Sequence, residues 1–452
     1  FLSFPRTGVE TRKLNIYAFK LSESGNFIML EKLFLKHVGP AQKIDLSFAS
    51  RLNLLTGNNS LGKTFVLDVA WWALTRNWVG LVARPRPREW QPLSEKSPQV
   101  HQSSINYTLK DQTEIATQFD PKIQRWQTKG GKSPTTPCLV IYARVDGGFS
   151  VWDPARNERK RFTSVIEDSQ PSNAFHFDSK SLWDGLSEGK QIVCNGLLRD
   201  WLRWQSRETE IFDILTTVLA ELSPQGELIQ AGEKTVRLSL DDVRDIPTIV
   251  LSYGEVPLLH VSAGMRRIIG LAYLMVWAWS EHLKASEILE QRPTHNLVLL
   301  LDEAESHLHP QWQRCLLPAL LRVIRHLRED MAVQMIAGTH APLVLASIEP
   351  EFHADTDRLF HFYINKQKVK VEMLPWAKHG DVTGWLISEV FGLKQARSLE
   401  AEKAIEAATR LMRSADSQNK NIVYQQLIKT LPPDDPFWPR WVMYEEKAKK
   451  LL

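Results

Sequence analysis

The stretch of residues 51–68, RLNLLTGNNSLGKTFVLD, constrains the fold more than any other part of the sequence. An apolar run precedes the pattern G-x-x-x-x-G-K-T and a second apolar run follows it, which is the strand–loop–helix order of a phosphate-binding P-loop. In such a loop, backbone N–H groups surround phosphate oxygens, and the following helix directs its partial positive charge at the same anion. The sequence therefore predicts a nucleotide site in an α/β fold.

The residue types within the loop predict its ligands. Gly57 and Gly62 allow the backbone to turn tightly. The ammonium group of Lys63 would reach the β- and γ-phosphates, and the hydroxyl of Thr64 would ligate Mg²⁺, so ATP and Mg²⁺ are the predicted cofactors. The predicted cofactor-binding residues of the loop are Gly57, Asn58, Asn59, Ser60, Leu61, Gly62, Lys63, Thr64 and Phe65.

Composition narrows the class of protein. The chain has 452 residues, enough for two or more lobes, and its net charge of +4 is too small by itself to indicate a nucleic-acid binder. Its three cysteines, Cys138, Cys194 and Cys315, have neither disulfide-framework nor zinc-ribbon spacing. The longest apolar run, residues 268–279, is too short to cross a bilayer, and the N-terminus has no signal-peptide pattern. We therefore expect a cytoplasmic protein with no membrane partner.

Strand and helix signals alternate around the P-loop. Strands are predicted at residues 27–35 and 43–48, and the helix after the loop is predicted to reach about Val79. Short β segments separated by turn signals run through residues 104–152 and predict an antiparallel β subdomain. Within it, residues 130–133 are better interpreted as a hairpin tip than as a second phosphate loop, because no upstream glycine or following helix accompanies them.

A helical period runs through residues 181–222. It contains three arginines that share one helix face: Arg199, Arg203 and Arg207. Beside Trp201 and Trp204, this face could follow a nucleic-acid backbone. The favoured alternative is a solvated face whose arginines pair with neighbouring carboxylates.

Residues 296–303, NLVLLLDE, form an apolar run that ends in two adjacent carboxylates. A buried parallel strand delivers such side chains to its carboxyl end, where nucleotide sites lie. Asp302 would hold Mg²⁺ through water, and Glu303 would orient or deprotonate the attacking water. The alternative is a structural strand capped by acidic residues, which the presence of a P-loop makes the weaker interpretation.

Two further segments complete a constellation. Residues 260–267, HVSAGMRR, place Ser262 and Gly264 at the start of an apolar helix, where a hydroxyl and backbone N–H groups can form a second anion cradle. Taken alone, this segment favours the alternative of an ordinary helix N-cap. Residues 333–340 form another apolar strand that ends at His340, and a histidine there can bond a γ-phosphate.

The loop after the acidic strand, residues 304–310, contains Glu305, His307 and His309. Together with Asp302, these residue types suit a zinc site. The favoured interpretation is a loop that contacts a second subunit. The helix predicted from about Gln311 would place this loop beyond the nucleotide of its own chain.

The order and spacing of the motifs point to a class. Roughly 240 residues separate the P-loop from the acidic strand, whereas the Ser-Ala-Gly segment lies some 40 residues before that strand. With LTGNNSLGKT, VSAGMRR, LLLDEAESHLHP and GTHAPLVLAS, the chain resembles the ABC/SMC-type ATPases of the RecF/SMC and overcoming-lysogenization-defect group over roughly residues 28–350. The signature of this class is usually LSGG, so Val261 departs from it. Gln91 and Gln118 are both candidates for its Q-loop glutamine.

The resemblance implies a homodimer or higher oligomer in which ATP lies between the P-loop of one copy and the Ser262–Gly264 segment of another. ATP would then act as a switch of dimer shape. The catalytic residues that it implies are Lys63, Glu303 and His340, and the metal ligands are Thr64 and Asp302.

The architecture and the segments YARVDGGFSVWDPARN (residues 142–157) and CNGLLRDW (residues 194–201) resemble stand-alone defence ATPases such as the Septu type, which pairs with an HNH nuclease, and retron-associated relatives. The tail after residue 350 is too short for a Toprim nuclease domain and has no HNH-like pattern. A nuclease partner is therefore expected to be another chain. In a retron, the reverse transcriptase and its non-coding RNA would be further partners.

We therefore predict an ABC/SMC-type P-loop ATPase head of the α/β class, with an antiparallel β subdomain, an inserted helical lobe and a helical C-terminal tail. The leading hypothesis is a homodimeric ATPase without nuclease activity that scaffolds and regulates a partner nuclease in anti-phage defence. The alternatives are a RecF-like DNA-repair ATPase that binds DNA directly and a transporter ATPase subunit, which the long insertion disfavours. The predicted division is an N-terminal arm (1–25), a first ATPase lobe (26–150), an inserted mainly helical region (151–255), a second ATPase lobe (256–380) and a tail for partner contacts (381–452).

Overall fold

The computed structural model describes residues 29–86, 103–110, 112–128, 138–158, 174–414 and 419–450. The predicted N-terminal arm, the hairpin tip at residues 130–133 and the Q-loop candidate Gln91 lie outside these ranges. The strands within them are β1 (Leu30–Lys36), β2 (Lys43–Ser47), β3 (Leu52–Gly57), β4 (Ser104–Leu109), β5 (Ile115–Asp120), β6 (Arg125–Thr128), β7 (Leu139–Ala143), β8 (Phe149–Trp152), β9 (Phe175–Phe177), β10 (Leu186–Glu188), β11 (Gln191–Cys194), β12 (Gln230–Val236), β13 (Ile246–Leu251), β14 (Gly254–Pro257), β15 (Asn296–Asp302), β16 (Ala332–Gly338), β17 (Asp357–Asn365) and β18 (Lys368–Leu374). The α-helices are α1 (Lys63–Thr75), α2 (Ser179–Asp184), α3 (Leu197–Arg207), α4 (Thr209–Leu222), α5 (Ala263–Ile288), α6 (Pro310–Leu327), α7 (Pro342–Ile348), α8 (Val382–Ile387), α9 (Leu399–Ser414), α10 (Lys420–Thr430) and α11 (Trp438–Lys450).

An eight-stranded sheet forms the centre of the fold, in the spatial order β18-β17-β3-β16-β15-β7-β8-β9. Its five inner strands, from β17 to β7, are mutually parallel, and the outer strands run antiparallel to their neighbours. The strand before the P-loop and the acidic strand are both inner strands, separated only by β16. Their carboxyl ends therefore meet at one edge, where ligands bind in open α/β sheets. The predicted α/β class is confirmed.

A second sheet is antiparallel, with the order β2-β1-β4-β5-β6. It confirms the predicted β subdomain for the segments up to Thr128, but the prediction was wrong for the last two segments of that run. Strand β7 pairs in parallel with β15, and β8 pairs with β7. All residues of β7 are buried, and a strand buried on both faces belongs in a covered parallel sheet.

The central sheet separates two cores because successive side chains of a strand point to opposite faces. In β15, Leu297, Leu299 and Leu301 pack with α5, α6 and α7, whereas Val298 and Leu300 pack with α1 and the antiparallel sheet. Helix α1 begins at the end of the P-loop, and α5 begins within the Ser-Ala-Gly segment, at Ala263. These two helices therefore lie on opposite faces of the central sheet.

Helix α1 ends at Thr75, earlier than the predicted end near Val79. Arg76 adopts a left-handed backbone with φ 61°, and its N–H donates to the carbonyl oxygen of Trp72. Trp78 then stacks on Trp72, with ring centroids 5.1 Å apart. The chain turns back over the last helical turn because this stack removes the rest of Trp72 and part of Trp78 from water.

The inserted region contains α2, α3 and α4, but it also contains the hairpin β10–β11, which the helical period had not predicted. On α3, Trp201 and Trp204 are buried. Arg203 pairs with Asp200 at 3.3 Å and with Glu208 at 3.5 Å. Because buried tryptophans cannot stack on bases, the structure favours the solvated-face interpretation of this helix.

Helices α9, α10 and α11 form the predicted C-terminal tail around a small core of their own. The exposed apolar side chains on these helices include Leu399, Ile422, Ile428, Val442 and Met443. Within the described residues, no helix combines the length and the apolar character that crossing a bilayer requires.

Candidate nucleotide-binding site

The P-loop connects β3 to α1, as the sequence predicts. Gly57 has φ 124°, and a β-carbon at this position would lie 2.1 Å from the carbonyl oxygen of Phe362. Only glycine therefore fits this turn. Residues 58–60 are exposed, and Lys63 is the first residue of the helix. The backbone of the loop is thus accessible at a helix start, where an anion is stabilised.

The ammonium group of Lys63 points back into the loop. Its Nζ donates to the carbonyl oxygens of Gly57 at 2.9 Å and Asn58 at 3.0 Å, and the side chain is buried. Burial lowers the pKa of Lys63 to about 8, although the carboxylates of Glu303 and Asp302 oppose this shift. A phosphate in the loop would favour the protonated lysine more strongly than two carbonyl groups do.

Asp302 and Thr64 form the part of the site that fits a cation. Asp302 is buried at the end of β15, and neither of its carboxylate oxygens has a hydrogen-bond partner among the described residues. Burial raises the pKa of Asp302 to about 6, and the nearby Thr64 hydroxyl opposes the shift without completing a well-formed hydrogen bond. An unpaired buried carboxylate is unfavourable, and Mg²⁺ would satisfy its oxygens. These residues therefore fit the predicted metal.

Glu303 and His340 face each other beside Lys63. Nε2 of His340 lies 2.8 Å from Oε1 of Glu303, and Nδ1 of His340 lies 3.5 Å from Nζ of Lys63. Because an ammonium group can only donate, Nδ1 is the acceptor and Nε2 carries the proton. Burial lowers the pKa of His340, and the positive charge of Lys63 lowers it further. The neutral imidazole therefore bridges the P-loop to the acidic strand.

The backbone of Glu303 is left-handed, with φ 46°, a conformation that non-glycine residues rarely adopt. Its N–H donates to the carbonyl oxygen of Gly338 at 3.0 Å, and the hydroxyl of Ser306 donates to Oε2 at 3.4 Å. Such strain persists only where surrounding contacts hold it, and it concentrates at functional sites.

Glu305 has a place that sequence reasoning missed. Its Oε1 accepts from the hydroxyl of Thr339 at 2.5 Å and from the backbone N–H of His340 at 3.3 Å. Burial raises the pKa of Glu305, and the Thr339 hydrogen bond opposes that shift. Glu305 thus ties the loop after β15 to the end of β16.

His309 accepts from the backbone N–H of Gln311 at 3.4 Å and caps α6. Over the part of the chain that the structure describes, no group of three or more His, Cys, Asp or Glu side chains is arranged to hold a metal ion. The zinc interpretation of this loop therefore gains no support.

The Ser262 segment begins a helix on the far face of the sheet from α1. The hydroxyl of Ser262 accepts from the N–H of Met265 at 3.3 Å and caps α5, and the side chain is exposed. Gly264 packs on the loop after β15, since a β-carbon there would lie 2.9 Å from the carbonyl oxygen of His307. The segment is thus fixed to the acidic loop and open to solvent at Ser262.

The Q-loop candidate Gln118 lies on β5, in the antiparallel sheet, and is exposed. The structure does not bring it to the carboxyl edge of the central sheet. Arg267 does reach that edge, and its guanidinium donates to carbonyl groups of the loop after β15. Sequence reasoning missed Arg267. The available signal was Leu271, an apolar residue one turn later, which indicates that the helix face carrying Arg267 is buried.

Comparison with known proteins finds one matching family model and several relatives in sequence. Residues 230–346 match the family model described as AAA domain, putative AbiEii toxin, Type IV TA system. Over 420 residues the chain is 23% identical to the Septu protein PtuA of Bacillus thuringiensis, a match that covers 90% of this chain and 96% of PtuA. It is 27% identical over 138 residues to the Retron Vc95 probable ATPase of Vibrio cholerae serotype O1 biovar El Tor, covering 28% of this chain and 24% of that protein.

Among solved structures, the SMC head domain from Thermotoga maritima is similar at 14% identity and a TM-score of 0.37, over 77% of this chain and 100% of that chain. The resemblance to Septu-type and retron-associated ATPases that the sequence indicated is confirmed by the relatives in sequence.

Proposed function

We propose that this chain binds and hydrolyses ATP with Mg²⁺ as a homodimer, in which each nucleotide lies between the P-loop of one copy and the Ser262–Gly264 segment of the other. One observation carries the proposal. Lys63, at the start of α1, meets Asp302 and Glu303 at the carboxyl edge of the central sheet. Ser262 is exposed at the start of α5, which lies on the opposite face of that sheet from α1. A single copy therefore offers two separate halves of a site, and a second copy related by two-fold symmetry can complete both.

Each residue of the site has a proposed role. Lys63 and the backbone of the P-loop would hold the phosphates, and Thr64 and Asp302 would hold the metal. Mg²⁺, when bound, supplies positive charge that stabilises the phosphoryl group during transfer. Glu303 would take a proton from the attacking water, and His340, which donates to Glu303 from Nε2, would orient that carboxylate beside the γ-phosphate.

We further propose that the dimer scaffolds and regulates a nuclease partner in anti-phage defence. The support is the similarity to PtuA over nearly the whole chain and to a retron ATPase over a shorter segment. The C-terminal tail, residues 381–452, is the proposed partner surface, because Ile422, Ile428, Val442 and Met443 are exposed on its helices. An HNH nuclease, or the reverse transcriptase and non-coding RNA of a retron, would be the partner class.

Direct DNA binding remains the alternative function. The helix face of α3 that would have supported it has its tryptophans buried and Arg203 paired. If the purified chain bound duplex DNA in an ATP-dependent manner, with affinity falling steeply as salt rises, this alternative would replace the scaffold proposal.

ATP affinity is expected to fall as the pH rises above about 8, because burial lowers the pKa of Lys63 to about 8 before the nucleotide arrives. The phosphates bind the protonated lysine. Affinity should therefore be full below that pH and decline by up to about tenfold per pH unit above it, until the raised pKa of the bound lysine is reached. Equilibrium binding of a non-hydrolysable ATP analogue from about pH 7 to about pH 9.5 measures this. A flat profile would show that Lys63 does not titrate in the free site.

Glu303→Gln is expected to lower ATP turnover by about 100- to 1,000-fold while ATP binding is retained, because the amide keeps the shape of the side chain but cannot accept the proton of water. With hydrolysis blocked, the ATP-bound dimer should accumulate, and a partner nuclease expressed from neighbouring genes should co-purify with it. Steady-state turnover and sedimentation velocity with ATP and with ADP measure the two effects.

The matched control is Glu372→Gln, which changes the same group on the edge strand β18, where Glu372 accepts from the hydroxyl of Tyr363. This variant should turn over ATP at the wild-type rate. Wild-type turnover in Glu303→Gln would contradict the proposed function. So would a Glu303→Gln chain that binds ATP but sediments as a monomer.

A further inference from the structure

Arg267, in the second turn of α5, joins two strands that lie next to each other in the central sheet. Its Nε donates to the carbonyl oxygen of Ala304 at 3.1 Å. Its Nη2 lies within hydrogen-bond distance of the carbonyl oxygens of Arg144 (3.0 Å), Asp302 (3.2 Å) and Glu303 (3.2 Å). One guanidinium therefore contacts the chain just beyond the carboxyl end of β7 and at and just beyond the carboxyl end of β15.

These carbonyl groups lie where the pairing between the two strands ends, at Leu301 and Ala143. Backbone carbonyls beyond the last ladder pair need another donor, and a guanidinium offers a rigid fork of donors. Burial lowers the pKa of Arg267, while the carboxylates of Glu305 and Asp302 oppose the shift and favour the charged form. The charged fork therefore suits this acidic position.

The contact matters because Glu303 has a left-handed backbone that its surroundings must hold. Arg267 bonds to the carbonyl of Glu303 itself and to that of the residue after it. One turn earlier in the same helix, Gly264 lies against the carbonyl of His307, in the same loop. The start of α5 and the loop that carries Glu303 are therefore packed together at two points.

We propose that Arg267 is a positioning residue that holds Glu303 where it can activate water, and that it makes this placement depend on the position of the Ser262–Gly264 segment. This coupling rests on the proposed function. When the segment binds the nucleotide of the partner copy and shifts, Arg267 transmits the shift to Glu303 of the same chain. The two nucleotide sites of the dimer would then be coupled, since each segment serves the partner's site and adjusts its own.

Replacing Arg267 with methionine tests the proposal, because methionine keeps an apolar stem and removes every donor. In the 452-residue chain, kcat is expected to fall by about 10- to 100-fold, while KM and the affinity for an ATP analogue stay within about threefold. The Hill coefficient for ATP should fall towards 1. Arg267→Lys, which keeps the charge but cannot reach all four carbonyls, should recover part of the lost kcat.

A second readout does not depend on ATP turnover. In the nucleotide-free chain, Arg267→Met should speed amide hydrogen exchange across residues 303–309 by about tenfold, because the loop loses its bonds to α5. The control is Arg51→Met. Arg51 pairs with Asp357 near the amino ends of β3 and β17, at the other edge of the sheet, so this variant should leave kcat and exchange in the loop unchanged.

Unchanged kcat and unchanged exchange in Arg267→Met would overturn the proposal. An equal loss of kcat, affinity and thermal stability in both methionine variants would also overturn it, since that pattern marks a purely structural role. If the wild-type chain does not hydrolyse ATP, the proposed function fails, and the exchange result still decides whether Arg267 holds the loop.

Discussion

Lys63→Ala is expected to remove ATP binding. Lys63 is the cation at the start of α1, and its ammonium group is buried among the carbonyl groups of the loop that would receive the phosphates. Losing a buried, hydrogen-bonded charge from a phosphate site costs about 2–5 kcal/mol, which corresponds to roughly 30- to several-thousand-fold in affinity. Turnover should disappear with binding. Equilibrium titration with a fluorescent ATP analogue measures the loss.

The control for this variant is Lys43→Ala, which removes an exposed lysine paired with Asp45 on β2. Exposed pairs contribute little, so ATP affinity should not change. The thermal stability of Lys63→Ala should stay close to that of the wild type, because the lost contacts are to loop carbonyls that water can reach once the side chain is gone. If Lys63→Ala bound ATP with wild-type affinity, the P-loop assignment would be wrong.

The sequence predicted the strand, loop and helix of the candidate phosphate site because these parts are contiguous. The strand, the loop and the first turn of α1 all lie within residues 51–68, and the glycine spacing sets the backbone without help from distant residues. Asp302 and Glu303 could also be identified from the sequence, because an apolar run that ends in carboxylates indicates a buried parallel strand by itself. Local patterns of this kind depend on neighbouring residues alone.

The parts that sequence reasoning missed depend on contacts between distant residues. Arg267 meets Ala304 and Arg144, and Glu305 meets Thr339, so their roles arise only when the sheet brings these segments together. Strand β7 was assigned to the wrong sheet for the same reason. Its partner β15 is distant in sequence, because the long insertion separates the two strands. The signal available in the sequence was the unbroken apolar run within CLVIYAR, which is typical of a strand covered on both faces. In the structure, all five residues of β7 are buried.

Ser262→Arg is expected to abolish turnover without weakening ATP binding to the free chain. Ser262 is exposed on the face of the sheet opposite to α1, so a large side chain there should not disturb the P-loop of its own copy. It should block the approach of the partner's nucleotide, and turnover should fall by at least about 100-fold. Affinity for an ATP analogue, measured at concentrations where the chain is monomeric, should stay within about threefold of wild type.

The loss of the helix cap needs its own control, because the Ser262 hydroxyl accepts from the N–H of Met265 and removing such a cap costs about 1 kcal/mol. Ser262→Asp keeps a good cap but places a negative charge where the phosphate would arrive. This variant should be as stable as the wild type and nearly as inactive as Ser262→Arg. If Ser262→Asp retained full turnover, the segment would have no role at the nucleotide.

Mixing the Lys63→Ala and Ser262→Arg chains tests the shared site most directly. Each variant alone is expected to be inactive. In an equal mixture, half of the dimers pair the two variants, and each of these has one complete site: the P-loop of the Ser262→Arg chain with the intact Ser262 segment of the Lys63→Ala chain. Turnover should therefore recover to as much as about a quarter of the wild-type rate. No recovery in a mixture that forms mixed dimers, or full activity of the Ser262→Arg chain alone, would contradict a nucleotide site built from two copies.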